Sequence, residues 1–135
     1  MSRVRVLMID DSEDDAELFA TVFEQSGSAF EFGYTLDPEE GLARLAAPGS
    51  TVKLVLLDVK LVGWNGKEVL SRIRRTPSTQ ALPVVVMSSS DSPADVHDFY
   101  GLGANAYVQK PADLDGCRRL VKRLEEFWVE TASLP

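Results

Sequence analysis

The chain has 135 residues, 44% of them hydrophobic, which suits one compact domain with a real core and leaves no room for a second. Its formal net charge of -7 and pI near 4.7 exclude a nucleic-acid phosphate backbone as direct partner, because such binders carry basic stripes and none is present. One cysteine, Cys117, forms no internal disulfide, and the opening MSRVRVLMID is too short an apolar run for a signal peptide or membrane span, so a cytoplasmic protein is expected.

Arg3 to Ile9 reads as the first strand, followed by a helical pattern from Glu13 to Gln25. Phe30 to Leu36 is a weaker strand and Glu39 to Ala47 the second helix. The runs VKLVLLD (Val52 to Asp58) and LPVVVMS (Leu82 to Ser88) are continuously apolar, as strands buried on both faces are, with a helix from Lys67 to Arg75 between them. A helix from Ala94 to Leu102, a short strand from Asn105 to Gln109 and a last helix from Asp113 to Glu130 complete five βα units. Right-handed crossovers then give an α/β fold, a five-stranded parallel sheet with helices on both faces, and place ligand chemistry at the carboxyl ends of the strands.

Those ends carry a specific set of groups. The first strand finishes in Asp10 and Asp11, the third in Asp58, the fourth in Ser88 and Ser89, and the fifth runs into Lys110 and Pro111. At about 4 Å and an effective dielectric near 20, each unscreened carboxylate pair repels by roughly 4 kcal/mol, against a domain stability of about 5 to 15 kcal/mol. One lysine does not neutralise that cluster. Oxygen-only ligands with positions left for water and phosphate suit a hard octahedral cation such as Mg²⁺.

Ser12 reads as a helix N-cap, and Glu13, Asp14 and Asp15 as first-turn acids that complement the helix macrodipole rather than as site residues. His97, the only histidine, lies in the fourth helical pattern away from the strand ends. Cys117 falls in an apolar stripe with Leu120, Val121, Leu124 and Phe127 on the last helix and reads as a buried structural thiol. The segment EEFWVETASLP sets Phe127, Trp128 and Val129 side by side, more apolar surface than one helix face buries, and so suggests a contact beyond the core.

Taken in order, DD after the first strand, LLDVKLVGWNG around the third, VVVMSSS after the fourth and GANAYVQKP at the fifth resemble the receiver domain of two-component response regulators, of the chemotaxis-regulator type with the flavodoxin-like fold. The resemblance spans essentially the whole chain, residues 1–135, as one receiver domain. It implies that Asp58 is a phosphoacceptor for a phosphohistidine on a partner histidine kinase. It further implies that Asp11, Asp58 and the backbone carbonyl of Lys60 ligate Mg²⁺, with Asp10 acting mainly through water. Lys110 would pair with the phosphoryl oxygens, Ser88 (with Ser89 beside it) would meet them through its hydroxyl, and Tyr107 would be the rotating switch residue. The Lys110–Pro111 peptide is often cis in the family. Such a domain assists its own phosphorylation and dephosphorylation but is not a turnover enzyme.

Departures from the family pattern are local. Val62 replaces the usual proline, with Gly63 and Gly66 supplying turn conformations nearby. Lys60 puts a cation two residues from the acceptor, where it either perturbs the metal site or points to solvent, and Trp64 serves either kinase contact or local packing. The C-terminal segment resembles the small stand-alone regulators paired with bacterial phytochrome kinases, which implies a bacteriophytochrome partner and a homodimer through a face containing Phe127 and Trp128. Output would pass by protein contact. Two other classes compete: an aspartyl-nucleophile phosphatase of the haloacid dehalogenase type, which carries an Asp where Lys60 stands, and a constitutive dimerisation or docking module.

Overall fold

A computed structural model describes every residue except Met1, Ser2, Ser28 and Val62, and of Trp64 it describes the backbone only. The expectation attached to Val62 therefore lies outside the described residues, as does any contact of the Trp64 side chain.

Five parallel strands form one sheet: β1 (Val4–Ile9), β2 (Phe30–Thr35), β3 (Val52–Asp58), β4 (Val84–Ser88) and β5 (Ala106–Gln109), in the order β2-β1-β3-β4-β5. The order reverses at β1 and β3, the switch point where doubly wound sheets open a crevice. Both strands pair in register there, Met8 with Leu56 and Ile9 with Leu57. Period-2 alternation divides the apolar side chains between two layers. Val6, Met8, Leu54, Leu56, Val85 and Met87 face one core with Phe19, Phe23, Cys117 and Val121. Leu7, Ile9, Val55, Leu57, Val84 and Val86 face the other with Leu45, Leu70, Ile73 and Phe99. The five-stranded parallel sheet expected from the run of elements, and the flavodoxin-like (βα)5 fold that the resemblance implies, are the ones observed.

Helices α1 (Glu13–Gln25) and α5 (Leu114–Leu124) cover the first layer; α2 (Pro38–Ala46), α3 (Gly66–Arg75) and α4 (Pro93–Gly101) cover the second. Four of them start on a side-chain cap that satisfies an orphan N–H: Ser12 accepts from Asp15, Asp37 from Glu39, Asn65 from Lys67 and Asp113 from Gly116. Capping at the strand-to-helix junctions fixes where each strand end points.

Three local features differ from the sequence expectation. Residues Lys60–Leu61 and Trp64–Asn65 pair as a two-residue antiparallel ribbon, closed by Gly63 at φ 73. The last helix is α-helical only to Leu124 and continues as a π-turn over Glu125–Val129, with Glu130 N–H donating to the Glu125 carbonyl at 3.1 Å. That turn lets Trp128 and Val129 pack on the first core layer while Phe127 remains 52% exposed. Finally, no described peptide bond is cis, so Lys110–Pro111 is trans, against the form the resemblance implies.

Candidate functional site

Backbone ladders that run one step past the strands hold the site together. Asp10 N–H donates to the Thr35 carbonyl at 3.2 Å, Val59 N–H to Met87 at 3.1 Å and Lys110 N–H to Ser88 at 2.8 Å. Asp10, Asp58, Ser88 and Lys110 thus sit on adjacent, hydrogen-bonded strand ends, set by register rather than by loop conformation.

The carboxylates of Asp10, Asp11 and Asp58 each offer an oxygen within 4.8 Å of the others. Asp10 is fully buried and Asp58 nearly so. Asp10 Oδ1 accepts from Ser12 N–H at 2.9 Å. Its Oδ2 is fully buried and forms an ion pair with the Lys110 ammonium at 2.7 Å. One ammonium shared among Asp10, Asp15 and Asp58 leaves the cluster with a surplus of negative charge, which is costly at buried positions unless a further cation offsets it. Asp11 and Asp58 line a cleft of about 630 Å³ with Asp10 buried beside them, and this oxygen-only trio fits a hard divalent ion.

Electrostatics point the same way. Burial, then the neighbouring Asp10 carboxylate, pushes the Asp58 carboxyl up to about 6, with Lys110 and the Lys60 N–H opposing. Burial by itself would depress the Lys110 ammonium, yet its contacts with Asp10 and Asp15 and the Asp58 charge hold it above the usual lysine range. Lys110 remains a cation, and Asp58, raised first by burial and then by the Asp10 charge, ionises only above about pH 6.

Lys110 contacts two of the predicted carboxylates and one that the sequence placed elsewhere. Its Nζ is 2.7 Å from Asp10 Oδ2 and 3.5 Å from Asp58 Oδ2, and also 2.7 Å from Asp15 Oδ2. Asp15 is thus a neighbour of the site as well as a first-turn acid. The signal was its place one turn above Asp11 at the start of α1, a position that also suits the helix dipole and so concealed the contact.

The remaining residues take definite places. The Lys60 side chain is exposed while its N–H meets the Asp58 carboxylate, which decides between perturbing the metal and pointing to solvent. Gly66 is needed for close approach rather than for a turn: a Cβ there would stand 2.8 Å from the Val59 carbonyl oxygen and 3.1 Å from that of Asp58. Ser88 is buried, its Oγ accepting from Ser90 N–H at 3.0 Å, and Ser89 is exposed just beyond the strand. The half-buried Tyr107 packs at 5.8 Å from the Phe99 ring and donates its hydroxyl to the Ser90 carbonyl at 2.9 Å, so Ser90 touches both Ser88 and Tyr107. His97 is exposed on α4 and Cys117 is buried with its thiol pushed up to about 11 by burial. A groove of about 1010 Å³ between β5 and α5 is separate from the acidic trio and is lined in part by Phe127 and Trp128.

Comparison with known proteins agrees with this geometry. A family model described as response regulator receiver domain matches residues 6–124. Response regulator Rcp1 of Synechocystis sp. (strain ATCC 27184 / PCC 6803 / Kazusa) is 33% identical over 96% of this chain and 92% of its own length. The crystal structure of its Mn²⁺-bound form superposes with a TM-score of 0.83 at 32% identity, covering 98% of this chain and 99% of that one. The phosphorylated cyanobacterial phytochrome response regulator RcpA gives a TM-score of 0.89 at 33% identity over 99% of both chains. Response regulator RPA3017, from red light signalling in R. palustris, gives 0.87 at 26% identity over 98% of both.

Proposed function

The chain belongs to the response regulator receiver domain family, and from that premise we propose that Asp58 accepts a phosphoryl group from a phosphohistidine on a partner histidine kinase. As a receiver it is a signalling module rather than a turnover enzyme. The observation that carries the assignment to Asp58 is the convergence of the Asp10, Asp11 and Asp58 carboxylates beside Lys110 on neighbouring strand ends.

Mg²⁺ would be held by Asp11, Asp58 and the Lys60 carbonyl, with Asp10 behind them. When bound, it supplies charge neutralisation for the acceptor and for the incoming phosphoryl oxygens. The protein's own groups do the rest. Asp58 is positioned by the β3–β4 ladder and the Lys60 N–H; one of its carboxylate oxygens forms the new O–P bond as the P–N bond to the donor imidazole breaks, the electron pair leaving with the imidazole. Lys110 then pairs with phosphoryl oxygens, and the Ser88 hydroxyl exchanges its contact with Ser90 for one of them, with Ser89 at the rim. Because the transition state is loose, positioning and charge account for most of the rate. Release of Ser90 by Ser88 reaches Tyr107 through the Ser90 carbonyl, which biases the α4–β5–α5 surface.

Residues 1–135 act as one cytoplasmic receiver domain that signals by protein contact. Similarity to phytochrome regulators supports a phytochrome-type kinase as donor. The exposed Phe127 and adjacent Trp128 support a homodimer face. The haloacid dehalogenase reading lacks its acid/base: that position is Lys60, an exposed cation. The test is intact-mass measurement with Mg²⁺ and phosphoramidate. One added phosphoryl group, lost in Asp58→Asn, is expected; equal uptake by the variant overturns the assignment.

A further inference from the structure

The Lys110 ammonium is shared unequally. It sits 2.7 Å from both Asp10 and Asp15 and 3.5 Å from Asp58, the group it must serve. Asp15 is not among the three carboxylates that can hold a metal. It is fixed by its helix position, since its N–H donates to Ser12 Oγ at 3.3 Å at the first turn of α1. Its carboxylate therefore ties Lys110 to the first turn of α1.

We propose that Asp15 is a positioning residue that holds Lys110 in its resting place and is the partner Lys110 gives up when a phosphoryl group arrives on Asp58, an inference that rests on the acceptor role of Asp58. Burial decides which partner yields. The Asp10 side chain is 0% exposed, so losing the ammonium would strand a buried charge, whereas the Asp15 side chain is 42% exposed and water replaces the lost contact cheaply. The phosphoryl oxygens, carrying close to two negative charges, out-compete a hydrated carboxylate for the ammonium. The Asp15 tie is thus a resting restraint on phosphorylation, separate from metal binding.

The test follows phosphoryl uptake from phosphoramidate by intact mass at saturating Mg²⁺: the Asp58 oxygen forms the O–P bond as the P–N bond breaks and ammonia leaves. Asp15→Asn should accelerate uptake by about 1.5- to fivefold, the range expected for loss of a partly exposed ion pair, with Mg²⁺ affinity unchanged. Asp15→Glu, which keeps the charge, should stay near the wild-type rate. Removing any acid near the cleft eases approach of an anion, so two controls isolate the tie. Asp14→Asn, an exposed acid in the same helical turn, should change the rate little. In a Lys110→Met background, Asp15→Asn should lose its effect, because coupled residues are non-additive. Equal acceleration by Asp14→Asn, persistence of the effect without Lys110, or no acceleration would each overturn the inference while leaving the acceptor role intact. A wild-type protein that takes up no phosphate would remove both.

Discussion

Replacing Asp58 by asparagine should stabilise the metal-free domain while abolishing its chemistry. Burial and Asp10 raise the Asp58 carboxyl from 3.8 to about 6. A raised carboxyl means the folded state holds the proton more tightly than the unfolded chain does, so ionisation costs folding free energy. Below pH 3.8 both states are protonated and nothing is lost. As pH climbs from 3.8 to about 6 the penalty grows, and above that it is constant. At 1.36 kcal/mol for each pKa unit, it amounts to about 1 kcal/mol at pH 4.5 and about 3 kcal/mol at pH 7.5. Solvent screening reduces this little, because the Asp58 side chain is only 9% exposed. Asparagine keeps the shape without the charge, so in EDTA at pH 7.5 the variant should melt roughly 10 °C higher. Urea denaturation at both pH values measures the gap. Saturating Mg²⁺ should close it from the wild-type side, adding about 2.7 kcal/mol at a hundred times its Kd. A gap that is absent, reversed or equal at pH 4.5 and 7.5 would refute charge crowding as the organising feature of the site.

Other perturbations have equally definite outcomes. Gly66→Ala forces a Cβ against the Val59 and Asp58 backbone; a stability loss of about 1 to 3 kcal/mol in urea and a phosphorylation rate at least about tenfold lower are expected. Arg74 ties the end of α3 to two loops through the carbonyls of Gly103, Gln80 and Leu82 and the Asn105 side chain. Arg74→Ala should cost about 2 to 4 kcal/mol by urea denaturation, leaving Mg²⁺ affinity unchanged. Cys117, buried and raised to about 11, should resist iodoacetamide at pH 8 until the protein unfolds, as followed by mass.

The features legible in the sequence were those that rest on short-range pattern. The bounds of β3 and α1 agree with the sequence reading because Val52 to Asp58 is an uninterrupted apolar run ending in a charge, and because Ser12 marks the helix start chemically. Asp10, Asp58 and Lys110 were legible as strand-end residues, since topology alone brings strand ends together. The features that escaped depend on tertiary neighbours or on turns without a compositional signature. Asp15 already had a sufficient local role in the helix dipole. The Lys60–Leu61 and Trp64–Asn65 ribbon is too short for any periodicity. The π-turn at Glu125–Val129 leaves the apolar stripe of α5 unchanged up to Leu124 and shifts only the residues beyond it. Gly66 looks like a turn residue in sequence, but its requirement comes from backbone packed against it.

The most direct measurement is chemical location of the phosphoryl group. Protein treated with phosphoramidate and Mg²⁺, then reduced with borohydride, converts an aspartyl phosphate into homoserine that peptide mass spectrometry can place. Conversion at residue 58, abolished by EDTA, is the predicted result; conversion at another residue, or at Asp58 without any divalent ion, would contradict it.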